Sequence, residues 1–246
     1  MKIVTYNISR CQDFSVTTAD DAPVNIEKYA KYLADLDADV LLINEVFIKS
    51  TETECFDRQT VKVNMLANYP YYTEGIGKEF SWATIGNVIF SRYPIVRSEL
   101  IPVLAPTEDE RREGENEWYE DRVIVSLTLN ADGKLFQVLG THFGLNGLEQ
   151  ERMIQALCSV IDQTDLPIIV LGDFNARPHT NILAPLYERL VSCADATANT
   201  EHTFPSFAPD RTLDYIFVSK DFQISAFEVR SEILSDHKAL AAVVTF

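Results

Sequence analysis

The segment Leu166-Pro167-Ile168-Ile169-Val170-Leu171-Gly172-Asp173-Phe174-Asn175-Ala176-Arg177-Pro178 decides how the rest of this chain is read. Its aliphatic run has the pattern of a buried strand. The run stops at Gly172, where a chain can turn sharply. Asp173 and Asn175 follow at once. A buried strand fixes its own end, so side chains just beyond it are accurately aimed. Alternate residues of an extended segment face the same way. One of this pair is a carboxylate that can take a proton from water. The other is an amide that both donates and accepts hydrogen bonds. Taken alone, the segment also fits a Gly-Asp turn with Asn175 as a local cap, and the remainder of the chain decides between the two.

The same device recurs on either side. Residues 2–8 form a β-type run that carries Asn7 near its end. Residues 24–38 have helical periodicity, with Ile26, Tyr29, Ala30, Leu33 and Leu36 on one face. Residues 39–43 form a second apolar strand, and Glu45 follows it. A carboxylate among such neighbours is costly unless paired or bound to a metal; a solvent-facing Glu is the plainer alternative. The spacing predicts a helix over 57–68, then a β-rich stretch over 80–90 that contains Gly86-Asn87. Residues 106–121 hold six Glu and are expected to be a solvated loop. Arg122 opens a strand over 123–129. Asn130-Ala131-Asp132-Gly133 is a hairpin signal, and the return strand 135–139 runs into Gly140-Thr141-His142. A lone histidine is more often structural, but His142 repeats the placement of Asn7 and Glu45.

Further along, residues 148–161 are expected to be a helix, with Leu148, Ile154, Leu157 and Ile161 inward. Residues 180–190 are expected to be another, with Thr180 as its N-cap. Asp214 lies near the start of a strand over 213–219, and Ser235-Asp236-His237 precedes a final strand over 239–245. Asn7, Glu45, His142, Asp173 and Asn175 are thus expected at strand ends, and Asp214, Asp236 and His237 at strand beginnings. In antiparallel or mixed sheets the end of one strand lies beside the start of its neighbour. All of them can therefore line one rim. Glu45, Asp173, Asp214 and Asp236 on one rim would repel one another unless a cation sits among them. Oxygen-rich ligation of this kind suits Mg2+ or Mn2+.

Bulk properties narrow the partners. The chain has 246 residues, 46% of them hydrophobic, and no Gly/Ser- or Pro-rich linker. A single domain over 1–246 is the expectation. Its 21 Lys+Arg against 37 Asp+Glu give a formal charge of -16. Such a balance does not attract polyanions at long range, so nucleic acid is possible but not favoured. A local basic groove or a bound cation can still reverse the sign at a site. Cys11, Cys55, Cys158 and Cys193 show no metal-ligand spacing and are expected to be reduced thiols. No signal-peptide segment and no membrane-length apolar run is present, so a soluble cytoplasmic protein is expected. The sequence leaves the oligomeric state open.

Thr5-Tyr6-Asn7-Ile8, Asn44-Glu45-Val46, Gly86-Asn87-Val88-Ile89-Phe90-Ser91-Arg92, Gly140-Thr141-His142, Gly172-Asp173-Phe174-Asn175-Ala176, Leu213-Asp214-Tyr215-Ile216 and Ser235-Asp236-His237 occur in this order across nearly the whole chain. Each is weak alone. As an ordered set they resemble the endonuclease/exonuclease/phosphatase superfamily. The resemblance implies an α/β (α+β) DNase I-like fold, a four-layer αββα sandwich of two packed mixed sheets flanked by helices. It implies a Mg2+- or Mn2+-dependent phosphoester hydrolase. By resemblance, Glu45 is the principal metal ligand, and Asn7 and Asp236 help hold the metal or its waters. Asp173 corresponds to the residue that orients or deprotonates the attacking water, and Asn175 to one that stabilises the pentacovalent phosphorus. His237 corresponds to the phosphate-contacting histidine, Asp214 to the carboxylate that orients it, and His142 to a second active-site histidine. Asn87 and Arg122 are candidate phosphate contacts; Arg177, His179 and His202 are read as structural or surface residues.

The chain departs from the family's pattern in three places, one being that it lacks the Trp-rich form of the Gly-Asp-x-Asn block carried by the inositol-phosphatase branch. Asn44 stands where many have Gln, and Ser9 where abasic-site nucleases have Asp, which weakens the case for a second metal at position 9. The favoured expectation is hydrolysis of a small or lipid-derived phosphoester. A metal-dependent DNA or RNA nuclease, a catalytically silent scaffold of the same fold, and a zinc hydrolase are the alternatives. The scatter of four histidines without a His-x-x-x-His pair argues against zinc.

Overall fold

Successive side chains of a strand face opposite sides. Along the organising strand Ile169 and Leu171 face one way, Ile168 and Val170 the other, and all four are buried. A strand covered on both faces requires a layer above and a layer below. The computed structural model, which describes residues 1–19, 21–51 and 57–246, supplies both. In chain order the elements are β1 (Lys2–Asn7), α1 (Ile26–Asp35), β2 (Val40–Ser50), α2 (Gln59–Ala67), β3 (Tyr71–Glu79), β4 (Ala83–Ser91), β5 (Ile95–Val103), β6 (Arg122–Ala131), β7 (Lys134–His142), α3 (Gly147–Ile161), β8 (Ile168–Asp173), α4 (Ala184–Arg189), β9 (Val191–Ser192), α5 (Cys193–Ala196), β10 (Asp214–Val218), β11 (Gln223–Val229) and β12 (Leu240–Thr245).

The strands form two mixed sheets, ordered β11-β12-β1-β2-β4-β3 and β5-β6-β7-β8-β10-β9. Each has one parallel pair, β1 with β2 and β7 with β8, and each pair is joined through a helix, as a parallel crossover requires. Ile3, Leu42, Ile89, Leu171 and Ile216 fill the space between the sheets. Tyr29, Leu33 and Val63 cover the outer face of the first sheet, and Met153, Leu157 and Leu186 that of the second. This is the expected four-layer αββα sandwich of DNase I type. Full burial of one such aliphatic side chain contributes about 1.5–3 kcal/mol.

Several local expectations change. β2 does not stop at Ile43; it continues to Ser50 through a bulge at Asn44-Glu45, where the register with β4 shifts. Glu45 is therefore inside a strand rather than beyond its end. Thr180 does not cap α4: the helix starts at Ala184 after a turn, Leu183 holds the cap position, and the Thr180 hydroxyl donates to Arg177 O. Pro185 at the start of that helix fits the later beginning, because proline is tolerated in the first turn. The 106–121 loop is not solvated throughout, since Glu120 is half-buried between Lys78 and Arg122. β11, an edge strand with exposed alternate positions, had no clear apolar signal. Cys11, Cys158 and Cys193 are free thiols, and Cys55 lies outside the described residues. Among the described residues no helix is long and apolar enough to cross a membrane.

Candidate active site

The second sheet contributes the more buried half of the site. Parallel pairing sets His142 beside Asp173, and antiparallel pairing sets Asp214 beside Asp173. Gly172 makes this convergence possible. Its φ of 144° favours glycine, and a Cβ there would lie 2.0 Å from Thr141 O. Phe174 is buried against Phe143, Tyr215 and Phe217, with ring centroids 4.7, 5.3 and 5.8 Å away. That anchor turns its neighbours Asp173 and Asn175 toward the rim. Asn175 takes a left-handed φ of 46°, a conformation that asparagine tolerates better than most residues.

Asp173 is the hub. Its Oδ1 accepts from Asn175 N–H at 2.9 Å and its Oδ2 from Asn7 Nδ2 at 3.1 Å. The same Oδ2 lies 3.5 Å from His142 Nε2 and 3.6 Å from His237 Nε2. Burial pushes the Asp173 carboxyl up to about 7, against the pull of His237 and with a further push from Asp214. A carboxyl group in that range is a competent base near neutral pH.

The two histidines are pushed in opposite directions. Burial pulls the His237 imidazolium down, but Asp214 and then Asp173 pull it up further, to about 10. Its Nδ1–H donates to Asp214 Oδ2 at 2.9 Å, which leaves Nε2–H on the pocket side. The Phe204 ring packs over the imidazole at 4.8 Å. Burial holds His142 well below its ordinary value, and the charges of Arg122 and His237 add to the effect. Arg122 Nη1 lies 3.3 Å from His142 Nδ1. A guanidinium only donates, so Nδ1 accepts and the single proton of neutral His142 is on Nε2. The His142–Asp173 approach is then a polar contact, not an ion pair.

The first sheet contributes the more open half. Glu45 sits in the bulge with a left-handed φ of 57°, and its side chain is 29% exposed. Strained backbone of this kind persists where the surroundings hold it, often at functional sites. Asn7 Nδ2 donates to Glu45 Oε1 at 3.1 Å, while Asn7 Oδ1 accepts from Ser9 N–H at 3.0 Å. Asn7 thus faces Glu45 as a donor. Arg10 Nε lies 3.7 Å from Glu45 Oε2. Asp236 precedes β12, and its Oδ1 accepts from Ser235 Oγ at 3.0 Å. Burial raises the Asp236 carboxyl, His237 lowers it, and the facing Glu45 raises it again. Two carboxylates repelling across a gap form a donor set that fits a divalent cation. The tightest cluster of ligand-type atoms among the described residues lies elsewhere, at Asp173, Asp214 and His237, all within 4.8 Å of one another. There His237 Nδ1 is already bonded to Asp214, so that cluster suits proton handling better than ligation.

Both halves face a pocket of about 370 Å³. Glu45, His142, Asp173, Asn175 and His237 line its floor, and Phe80, Ile85, Leu145 and Phe204 its walls. Arg10, Lys78 and Arg122 bring positive charge, and Glu120 pairs with both Lys78 and Arg122. Of the expected residues, Asn87 lines the pocket but spends its amide on Asn44 and on Val123 O, so it braces the wall. Sequence reasoning missed Asn44. Fully buried, it donates to Asn87 Oδ1 and Thr141 O and accepts from Asp173 N–H, tying β2, β4, β7 and β8 together under the site. The available signal was a polar residue directly after Val40-Leu41-Leu42-Ile43. Arg10, Lys78, Glu120 and Phe204 were also missed, and nothing in their spacing marked them.

The two-sheet sandwich with its cluster at one rim is a DNase I-like fold. The family model for the endonuclease/exonuclease/phosphatase family matches residues 4–237, and the chain belongs to that family. It is 25% identical over 219 residues to sphingomyelinase C 2 of Leptospira interrogans serovar Lai, a match covering 74% of this chain and 33% of that protein. The chain therefore spans about a third of the length of this curated relative. Among solved structures it resembles an endonuclease/exonuclease/phosphatase family protein from Leptotrichia buccalis C-1013-b, with a TM-score of 0.75, 20% identity and 100% of both chains covered. It also resembles the mannosyl-6-phosphatase of Bacteroides thetaiotaomicron VPI-5482, with a TM-score of 0.73, 16% identity and 100% of both chains covered. At these identities the structural likeness speaks for the fold alone.

Proposed function

We propose that this chain, as one domain, hydrolyses a small or lipid-derived phosphoester in a reaction that depends on Mg2+ or Mn2+. The observation that carries the reading is the convergence on Asp173 Oδ2. An amide, a neutral imidazole and a charged imidazolium, from Asn7, His142 and His237, all lie within 3.6 Å of that one oxygen.

In this reading Asp173 accepts the proton of an attacking water. Asn175 donates one amide hydrogen to Phe143 O, which fixes its plane, and its nitrogen lies 3.4 Å from His142 Nε2, so the two side chains together would meet a phosphoryl oxygen. His237, held by Asp214, donates Nε2–H to a second oxygen and carries positive charge where negative charge grows. His142 Nε2–H donates without moving a net charge, because burial, helped by Arg122, holds the ring neutral. Preorganised donors of this sort are each worth about 3 kcal/mol of barrier. Glu45 and Asp236 would hold the cation, with Asn7 fixing Glu45; the bound ion would supply charge that offsets the developing phosphate charge.

The choice of substrate rests on three features. The formal charge of -16 opposes a polyanion. Glu120 ties up two of the pocket cations, Lys78 and Arg122, which lowers the positive charge offered to a polyanion. Apolar side chains of Phe80, Leu145 and Phe204 line the walls. The test is a panel of p-nitrophenyl mono- and diesters, sphingomyelin, inositol phosphates and DNA, each with Mg2+ or Mn2+. The expected result is metal-dependent turnover of at least one small or lipid ester. Turnover of DNA alone would replace this reading with the nuclease, and no turnover of any ester would replace it with the silent scaffold.

A further inference from the structure

Three consecutive residues after β1 have backbone that side chains with a Cβ avoid: Ser9, Arg10 and Cys11 take φ of 41°, 58° and 63°. Such a turn persists only where its surroundings hold it. Ser9 N–H donates to Asn7 Oδ1 at 3.0 Å, and Cys11 N–H to Ile8 O at 2.8 Å. Gln59 of α2 is fully buried; its Nε2 donates to Arg10 O at 2.8 Å, and its Oε1 accepts from Phe47 N–H at 3.0 Å. The turn is thereby fixed to β2 two residues beyond Glu45. Strain held so firmly beside a site points to a side chain being aimed. That side chain is Arg10, which lines the pocket and is 39% exposed. Its Nη2 donates to Gln12 Oε1 at 2.7 Å and approaches Ser9 Oγ at 3.4 Å, and no other described group accepts a hydrogen bond from the guanidinium. Nε stays 3.7 Å from Glu45 Oε2, beyond hydrogen-bonding distance.

The other two cations of the pocket, Lys78 and Arg122, are paired with Glu120, which lies outside the proposed metal set. Arg10 has Glu45 as its carboxylate neighbour, and Glu45 is the group that a divalent cation would claim. We infer that Arg10 is a substrate-contacting residue that selects phosphomonoesters: with Glu45 committed to a cation, its guanidinium donates to a terminal phosphoryl oxygen of the ester. A guanidinium only donates, in a fork that fits phosphate oxygens. A monoester is a dianion above about pH 6, whereas a diester keeps a single negative charge. The one charge by which they differ is matched by the one pocket cation that loses its carboxylate. The consequence for turnover rests on the phosphoesterase reading; the binding of the anion does not.

Calorimetric titration separates the two. With Mg2+ present, above the second ionisation of phosphate, inorganic phosphate represents the monoester dianion and dimethyl phosphate the diester. The wild-type chain should bind phosphate roughly tenfold more tightly than dimethyl phosphate, or better. Arg10→Gln should lose most of that preference and bind dimethyl phosphate almost as before. With no anion present, Arg10→Gln should bind Mg2+ more tightly than wild type, because a cation competing for Glu45 is gone; a merely structural role for Arg10 would weaken the metal instead. Arg10→Asn, a residue type that tolerates left-handed backbone, is the second variant if the first fails to fold by circular dichroism. On an active preparation Arg10→Gln should lower kcat/KM for p-nitrophenyl phosphate about 100-fold, and for methyl p-nitrophenyl phosphate much less. Equal binding of the two anions by wild type, an equal loss of both in a folded variant, or weaker Mg2+ binding in that variant would each overturn the inference. Turnover of diesters alone would also overturn it and leave the proposed function standing. Binding as described in a chain that hydrolyses no phosphoester would refute only the proposed function.

Discussion

The two sheets bring unlike halves to one rim. The half from the first sheet, Glu45 and Asp236 with Arg10 beside them, is partly exposed, has Glu45 and Arg10 on left-handed backbone, and sets its two carboxylates against each other. The half from the second sheet, Asp173, Asp214 and His142, is almost wholly buried and already hydrogen-bonded within the protein. His237, at the start of β12, belongs by chain to the first half and by hydrogen bond to the second. The difference is one of solvation. On the proposed reading, a half-site that exchanges a strongly hydrated cation has to stay open to water. A half-site that must hold perturbed protons has to exclude it. Placing the two at the junction of separate sheets lets each have its own environment a few ångströms from the other.

Removing the cation should have the largest effect and should fall on the open half. Chelation is expected to abolish turnover of any ester, with recovery on adding Mg2+ or Mn2+. Added metal should also raise the melting temperature of the wild type, because a ligand that binds only the folded state stabilises it. Glu45→Gln should lose that rise, whereas Asp173→Asn should keep it. A metal-induced rise that is lost in Asp173→Asn and kept in Glu45→Gln would reverse the assignment and favour the cluster of Asp173, Asp214 and His237 as the metal site.

Next in size is the base. Asp173→Asn keeps the shape of the closed half and removes its basic oxygen. Turnover should fall by roughly two to four orders of magnitude, the range for a positioned general base. The fold should persist, since Ile168, Val170 and Phe174 remain buried. Near-normal turnover in a variant with normal melting would leave Asp173 as a turn residue.

The dyad should cost somewhat less. His237→Ala and Asp214→Ala are each expected to lower turnover about 100-fold, in line with the loss of one preorganised donor. The double variant should be little worse than the worse single one, because groups that act as a unit do not add. Strictly multiplicative losses would show that the link between the halves carries no function.

Smallest per step is the response to pH. With Asp173 at about 7 and His237 at about 10, kcat/KM should rise through pH 7 and fall through pH 10. Stability should move differently. His237 has a folded value above its unfolded value of 6.5, so its contribution is fully present below about pH 6.5 and is lost as pH rises through about 10. Asp173, raised from 3.8 to about 7, likewise loses its contribution as pH rises through about 7. Metal-free thermal melts of wild type against Asp173→Asn and His237→Ala measure these windows. Equal pH slopes in all three proteins would mean that the closed half does not hold the protons assigned to it.

Local chemistry wrote much of this into the sequence. Short apolar and β-type runs announced β1, β6, β7, β8, β10 and β12, and helical spacing announced α1 and α3, because such patterns are local to each segment. The ends of those runs marked Asn7, His142, Asp173 and Asp214, since a polar residue next to a buried strand needs a reason to be there. Tertiary structure alone decided the rest. Glu45 sits in a bulge within β2 because of a register shift against β4, and register is a contact between segments about 40 residues apart in the chain. Asn44 became the brace of the site because β2 packs against β7 and β8 across the sandwich. Arg122 faces Nδ1 of His142, and Glu120 pairs with Lys78 and Arg122, through contacts that no spacing encodes. The charge states of the two histidines follow the same rule. Both are buried imidazoles, and burial alone favours the neutral ring of each; the guanidinium beside His142 adds to that push, whereas the carboxylates around His237 overcome it and leave that ring positive.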